Sequence, residues 1–182
     1  MKRLLPLLLL ATLPLAAHAA DWKVDAAKST LGFSGSYQGD AFHGVFKQFD
    51  AAIRYDPQHL DAAKFDVTVK LASVDTQSSE RDETLTGSDF FDTGNFATAH
   101  FVTTAFHRAA DGSVTADGTL DLHGVKKPVT LKVSFAPDGQ NATLDVDTTL
   151  NRLDFKLGDS ADWDAVSKSI PVHAHLLLHA GS

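Results

Sequence analysis

Three histidines fall on alternate positions of one run near the end of the chain: His173, His175 and His179. Alternate residues of an extended strand share a face, so a His-x-His pair can offer two imidazoles to one zinc ion. The apolar residues of that run, Ile170, Val172, Ala174, Leu176 and Leu178, take the other face. The histidines therefore point to solvent, and no carboxylate stands between them to complete a ligand set. They read as surface histidines, and no metal site is expected. His123 closes another run and reads as local structure. Arg81 and Asp82 can pair with Asp154 or Arg152 and fasten a cover segment, an ion pair worth under about 1 kcal/mol if solvated. The sequence holds no G-x-S-x-G elbow, no G-x-x-x-x-G-K-[ST] loop and no two carboxylates placed as an acid–base pair. With no cysteine, thiol catalysis, iron–sulfur clusters, cysteine zinc sites and disulfides are excluded. No catalytic residue, no cofactor and no enzyme activity are expected.

Charge narrows the partners. The chain has 16 Lys and Arg against 23 Asp and Glu, a net charge of −7. An acidic body repels phosphate backbones and anionic lipid surfaces, so nucleic acid is not expected as a partner.

The first 19 residues read as a secretory signal peptide. Lys2 and Arg3 precede an apolar run from Leu4 to Ala17, and Ala17-His18-Ala19 offers small residues for cleavage. The run is short for a membrane span and contains Pro6 and Pro14. Residues 20–182 are then one domain without a second long apolar run, expected in the periplasm and not spanning the membrane.

The elements that position everything else are strands. Phe65, Val67, Val69 and Leu71 alternate with Asp66, Thr68 and Lys70. The same period runs through Val129 to Phe135, Leu144 to Leu150 and Ile170 to Leu178. Period two with β-branched and aromatic residues predicts antiparallel strands, apolar on one face and wet on the other. Turn signals at Asp56-Pro57, Asp111-Gly112, Pro137-Asp138-Gly139 and Gly124 to Pro128 divide them. Eight strands are expected, near 30–38, 41–55, 62–73, 100–108, 113–123, 127–136, 140–150 and 168–179. Ser78 to Thr86 breaks the alternation. A short helix is expected there, capped by Ser78 or Ser79 and stopped by Gly87. Gly158 to Ala165 reads as irregular. Eight antiparallel strands make a sandwich or a barrel, and the 12 Phe supply apolar area that either can bury.

Motifs in order along residues 22–180 decide between these. They are Trp22-Lys23-Val24-Asp25 with Ser29-Thr30-Leu31-Gly32-Phe33, then Gly44-Val45-Phe46-Lys47-Gln48-Phe49 and Asp56-Pro57-Gln58-His59-Leu60. Arg81-Asp82, Asp89-Phe90-Phe91-Asp92, the run from Gly118 to Val129 and Asn151-Arg152-Leu153-Asp154-Phe155 follow. In these the chain resembles the YceI-like family. Three positions depart from it: Tyr37 and Thr84 where the family often has His, and Lys156 where it usually has Gly.

The resemblance implies an all-β, eight-stranded antiparallel lipocalin-like barrel with a short helix near one mouth. It implies a channel holding a long-chain isoprenoid lipid (a polyisoprenoid or quinone tail), or a fatty acid or its amide. It also implies a homodimer as one assembly open to the protein. On that reading Phe33, Phe46, Val67, Val69, Phe101, Leu120, Leu122, Val133, Phe135, Leu144 and Val172 line the channel, and Phe90, Phe91 and Phe155 close its mouth. Two rivals stand beside it: a structural or stress-response barrel packed solid that works through its outer face, and an enzyme acting on an apolar substrate.

Overall fold

The computed structural model describes residues 20–181; the expected signal peptide, 1–19, lies outside the described residues. The strands are β1 (Asp21–Val24), β2 (Thr30–Tyr37), β3 (Asp40–Phe46), β4 (Phe49–Arg54), β5 (Lys64–Lys70), β6 (Val74–Asp75), β7 (Thr98–Arg108), β8 (Val114–Leu122), β9 (Val125–Asp138), β10 (Asn141–Asn151) and β11 (Ser169–Ala180). One helix, α1 (Ser79–Thr86), joins β6 to the β7 side.

The short strands are pieces of longer ladders. β1 and β2 lie end to end along β11, through Val24 opposite Leu178 and Phe33 opposite Val172. β4 pairs with β1 while β3 pairs with β2, and β5 and β6 pair with β4 and β3 in turn. Eight antiparallel ladders result. They close because β1 bonds both β4 and β11, which leaves no long open edge.

Each break satisfies the backbone groups it frees. At the first, Asp25 N–H donates to Leu177 O and Ser29 Oγ accepts from Leu177 N–H at 3.0 Å. At the second, Lys47 N–H donates to Ser73 O and Gln48 N–H to Ser73 Oγ. The strand expected over 41–55 is therefore β3 and β4, interrupted at Lys47 and Gln48. A bulge between Thr103 and Ala105 breaks β7, and there the Thr103 hydroxyl accepts from Phe65 N–H at 2.9 Å.

The β8–β9 turn is tighter than expected. It consists of His123 and Gly124, both at positive φ, with Leu122 paired to Val125. Pro128 thus sits inside β9, opposite Thr119. The β9–β10 ladder ends at Lys132, so the proline's missing N–H removes no bond on that side.

α1 starts where the sequence places it. Ser78 is the cap, its hydroxyl accepting from Arg81 N–H, and Gly87 follows the last turn. Glu80 and Asp82 lie in the first turn, favourable for the helix dipole. Leu85 is its buried residue and joins Leu71, Val74, Phe90, Phe91, Leu122, Phe155 and Leu157 at one end of the barrel.

Candidate functional site

Between that cluster and the far end lies an apolar cavity of about 230 Å³. The inward faces of the strands build it. Val67 and Val69 come from β5, Phe101 from β7, Leu120 and Leu122 from β8, Leu144 from β10 and Val172 from β11. Phe33 and Phe46 come from β2 and β3, their rings 5.5 Å apart at the centroids. Phe33 lies across Gly44, its register partner, where a Cβ would meet the ring. Phe90, Phe91 and Phe155 border the cavity and are buried at the α1 end.

Val133 and Phe135 are not in the lining and are corrected here. They belong to the core at the opposite end. Phe135 meets Trp22 edge-on at 5.4 Å and Tyr55 at 5.0 Å, and Tyr55 meets Phe65 and Phe106, both at 5.8 Å. These rings pack on one another as a continuous aromatic cluster. The Trp22 indole N–H donates to Tyr55 O at 2.9 Å, so its polar atom is satisfied. Burial pushes the Tyr55 phenol above its ordinary range and keeps it neutral.

The lining also includes residues outside the expected set. Phe49 and Ala51 face in because the break at Lys47 and Gln48 reverses the parity of the strand. Phe42, Val129, Leu131 and Val146 carry the inward parity of their strands and line it too.

Among the described residues, Thr148 and Arg152 are the only polar side chains in the lining. Arg152 is 4% exposed, yet its donors are turned to backbone carbonyls and away from the cavity. Nε donates to Ser167 O, one terminal nitrogen to Leu157 O and Gly158 O, and the other to Trp163 O and Val166 O. Burial lowers its pKa, opposed by Asp164 and Asp159, and the guanidinium stays charged. Arg152 thereby organises the irregular segment 152–168 that covers one side of the α1 end.

The expected pairing of Arg81 or Asp82 with Asp154 or Arg152 does not form. Asp82 Oδ1 accepts from the Thr76 hydroxyl at 2.7 Å and from Thr76 N–H at 2.9 Å. The Arg81 guanidinium lies 4.8 Å from the Phe42 ring centroid. The helix is fastened to β6 and β3 instead, close to it in sequence, because β6 ends only a few residues before α1. Of the departures from the family pattern, Tyr37 is 44% exposed beside the mouth. The Thr84 hydroxyl is spent on Glu80 O, and Lys156 adopts φ 59°, a left-handed backbone that glycine takes without strain.

The outer face is polar. His173 and His175 point out, as expected, but their neighbours were not legible from β11 alone. Asp147 lies opposite His173 and Asp145 opposite His175 on β10. No helix among the described residues is long and apolar enough to cross a membrane.

Residues 22–178 match the YceI-like domain family. The chain is 37% identical over 169 residues to a UPF0312 protein of Pseudomonas fluorescens, covering 85% of this chain and 84% of that one. It is also 37% identical over 138 residues to UPF0312 protein VVA0736 of Vibrio vulnificus, covering 74% and 73%. Among solved structures, Burkholderia cenocepacia BcnA superposes with a TM-score of 0.80 at 26% identity, covering 85% of this chain and 99% of BcnA. A polyisoprenoid binding domain from Saccharophagus degradans superposes with a TM-score of 0.67 at 19% identity, covering 91% and 100%, a likeness of fold.

Proposed function

The chain belongs to the YceI-like family, and from that premise we propose that it takes one long apolar molecule into its barrel and carries it through the periplasm. The occupant is a polyisoprenoid or quinone tail, with a fatty acid or its amide as the related alternative. The observation that carries this is the cavity itself: a closed sheet leaves space in its middle, and the space is walled by hydrocarbon. A packed core would close such a space, since unfilled volume forfeits dispersion contacts. Each methylene moved from water to such a wall gains about 0.8 kcal/mol. Lipid length and chain width then decide affinity, after the ordering of the chain is offset. The polyisoprenoid that the Saccharophagus domain binds is a molecule of this kind, on the same fold.

Among the described residues, the one hydroxyl of the lining, on Thr148, donates to Thr130 O at 2.9 Å. The test is organic extraction of protein purified from the periplasmic fraction, followed by mass spectrometry. One long-chain lipid per folded chain is expected, with an N-terminus at Ala20. Folded protein that yields a clean extract and also fails to take up a polyprenol would overturn the proposal and favour the solid barrel.

A further inference from the structure

We propose that Asp145, His173 and His175 form a binding site on the outer wall of the barrel for a divalent first-row transition ion of the zinc class. The site is independent of the cavity, because it lies on the opposite face of β10 and β11.

One ligand atom from each of the three residues lies within 4.8 Å of the other two. The convergence of three ligand atoms on one point is what points to a cation. His173 Nδ1 lies 2.7 Å from Asp147 Oδ1, within hydrogen-bond reach. With Nδ1 engaged there, Nε2 is the ring nitrogen left to meet an ion. Nε2 lies 3.7 Å from Asp145 Oδ1, too far for a hydrogen bond. An imidazole nitrogen and a carboxylate oxygen therefore face each other with no hydrogen bond between them. A metal ion bound to both bridges that gap. At bond lengths of about 2.0–2.2 Å, tetrahedral ligands stand roughly 3.3 Å apart, so the 3.7 Å His173–Asp145 pair closes slightly and the 2.6 Å His175–Asp145 pair opens as an ion enters.

His175 completes the set. Its Nδ1 lies 2.6 Å from the same Asp145 oxygen. An ion bound at this nitrogen exchanges a hydrogen bond for a coordinate bond, and the displaced proton passes to Nε2 or to solvent. Asp147 then plays the part that carboxylates play behind metal-bound imidazoles: it holds the far nitrogen, orients the ring and raises its basicity. Imidazole with carboxylate suits zinc, copper and nickel better than calcium or magnesium, which prefer all-oxygen shells. A fourth position faces solvent.

Other Asp–His contacts on the barrel lack this convergence. His100 meets Asp66, and His107 meets Asp117, as single pairs. No Lys or Arg among the described residues is within ion-pair distance of Asp145. Lys132 on β9 is in register with Asp147, while Asp145 is in register with Ser134, so the lysine stands nearer the orienting carboxylate than the ligating one.

The test is calorimetric titration of untagged, chelator-treated full-length mature protein with zinc chloride. One saturable site per chain is expected, with a melting temperature that rises with zinc and returns with EDTA. Asp145→Asn, His173→Ala and His175→Ala should each remove the site. Asp147→Asn should weaken it roughly tenfold to a hundredfold while leaving one zinc per chain. The double variant His100→Ala, His107→Ala should bind as the parent does. These are exposed side chains, so folding is checked directly by circular dichroism. No saturable binding, or binding indifferent to His173→Ala and His175→Ala, overturns the proposal.

Discussion

Trp163 donates its indole N–H to Asp89 Oδ2 at 2.9 Å, across 74 residues of sequence. The bond joins the two segments that cover the α1 end, the Asp89-Phe90-Phe91-Asp92 stretch and the irregular segment after β10. Trp163 also meets Phe90 edge-on at 4.9 Å, and Gly158 N–H donates to Asp89 O. The two segments thus hold each other over the cavity.

Asp89→Ala should loosen this cover at a stability cost of about 1 kcal/mol or less, because the bond is exposed. The sensitive readout is exchange. A fluorescent polyprenol analogue should leave the variant faster than the parent, with folding unchanged by circular dichroism. Equal release rates would show that the lipid does not pass this way.

Arg152 should tolerate little change. Arg152→Met strands five carbonyls that now share one guanidinium, and hydrogen bonds to charged groups contribute about 1.5–3 kcal/mol each. A loss of at least about 3 kcal/mol is expected in urea unfolding. Arg152→Lys should recover only part of it, since an ammonium offers three donors and no planar fork.

The two ends of the barrel should separate by mutation. Val69→Trp places an indole in the cavity and should block lipid uptake while the barrel still folds. Phe135→Ala should cost about 3 kcal/mol by opening a void in the far core, yet leave uptake intact in folded protein. Thermal unfolding and lipid-binding titration measure the two effects independently.

This contrast marks how far the sequence was legible. Alternation placed Phe65, Val67 and Val69 on one face, and the capping pattern placed the start of α1 at Ser78 or Ser79, of which Ser78 is the cap, with a stop at Gly87. Alternation cannot see a parity change. Phe42 and Phe46 face in on even positions, Phe49 and Ala51 on odd ones, because two residues between them leave the ladder. Nor does it say how far along the axis a residue sits. Val133 and Phe135 share the face of Leu131, but of the three only Leu131 lines the cavity, and Phe135 packs on Trp22 and Tyr55 instead. The Asp145–His175 contact needs the register of two strands, which no single run contains.

Acid should weaken the fold through its surface carboxylates. The side-chain hydrogen bond from His100 holds Asp66 below its ordinary value, and the Gln58 N–H, then His59, does the same for Asp56. A carboxyl lowered in the folded state contributes stability above the unfolded value near 3.9, and that contribution fades as pH falls through the folded value. The melting temperature should therefore drop as pH is lowered below about 4, and less steeply in Asp66→Asn. Both groups are largely solvated, so the effect is small and shrinks with added salt.

Lys156→Gly should stabilise the protein by up to about 1 kcal/mol, because it relieves a left-handed lysine. A denaturant midpoint that fails to rise would show that the lysine side chain offsets the strain.

The rings of Trp22, Tyr55, Phe65, Phe106 and Phe135 make the barrel a sleeve sewn shut at the bottom. If the proposed function holds, a guest that enters tail first backs out by the same door, head group leading. The stitched end also works as a gauge, because a tail longer than the sleeve must protrude.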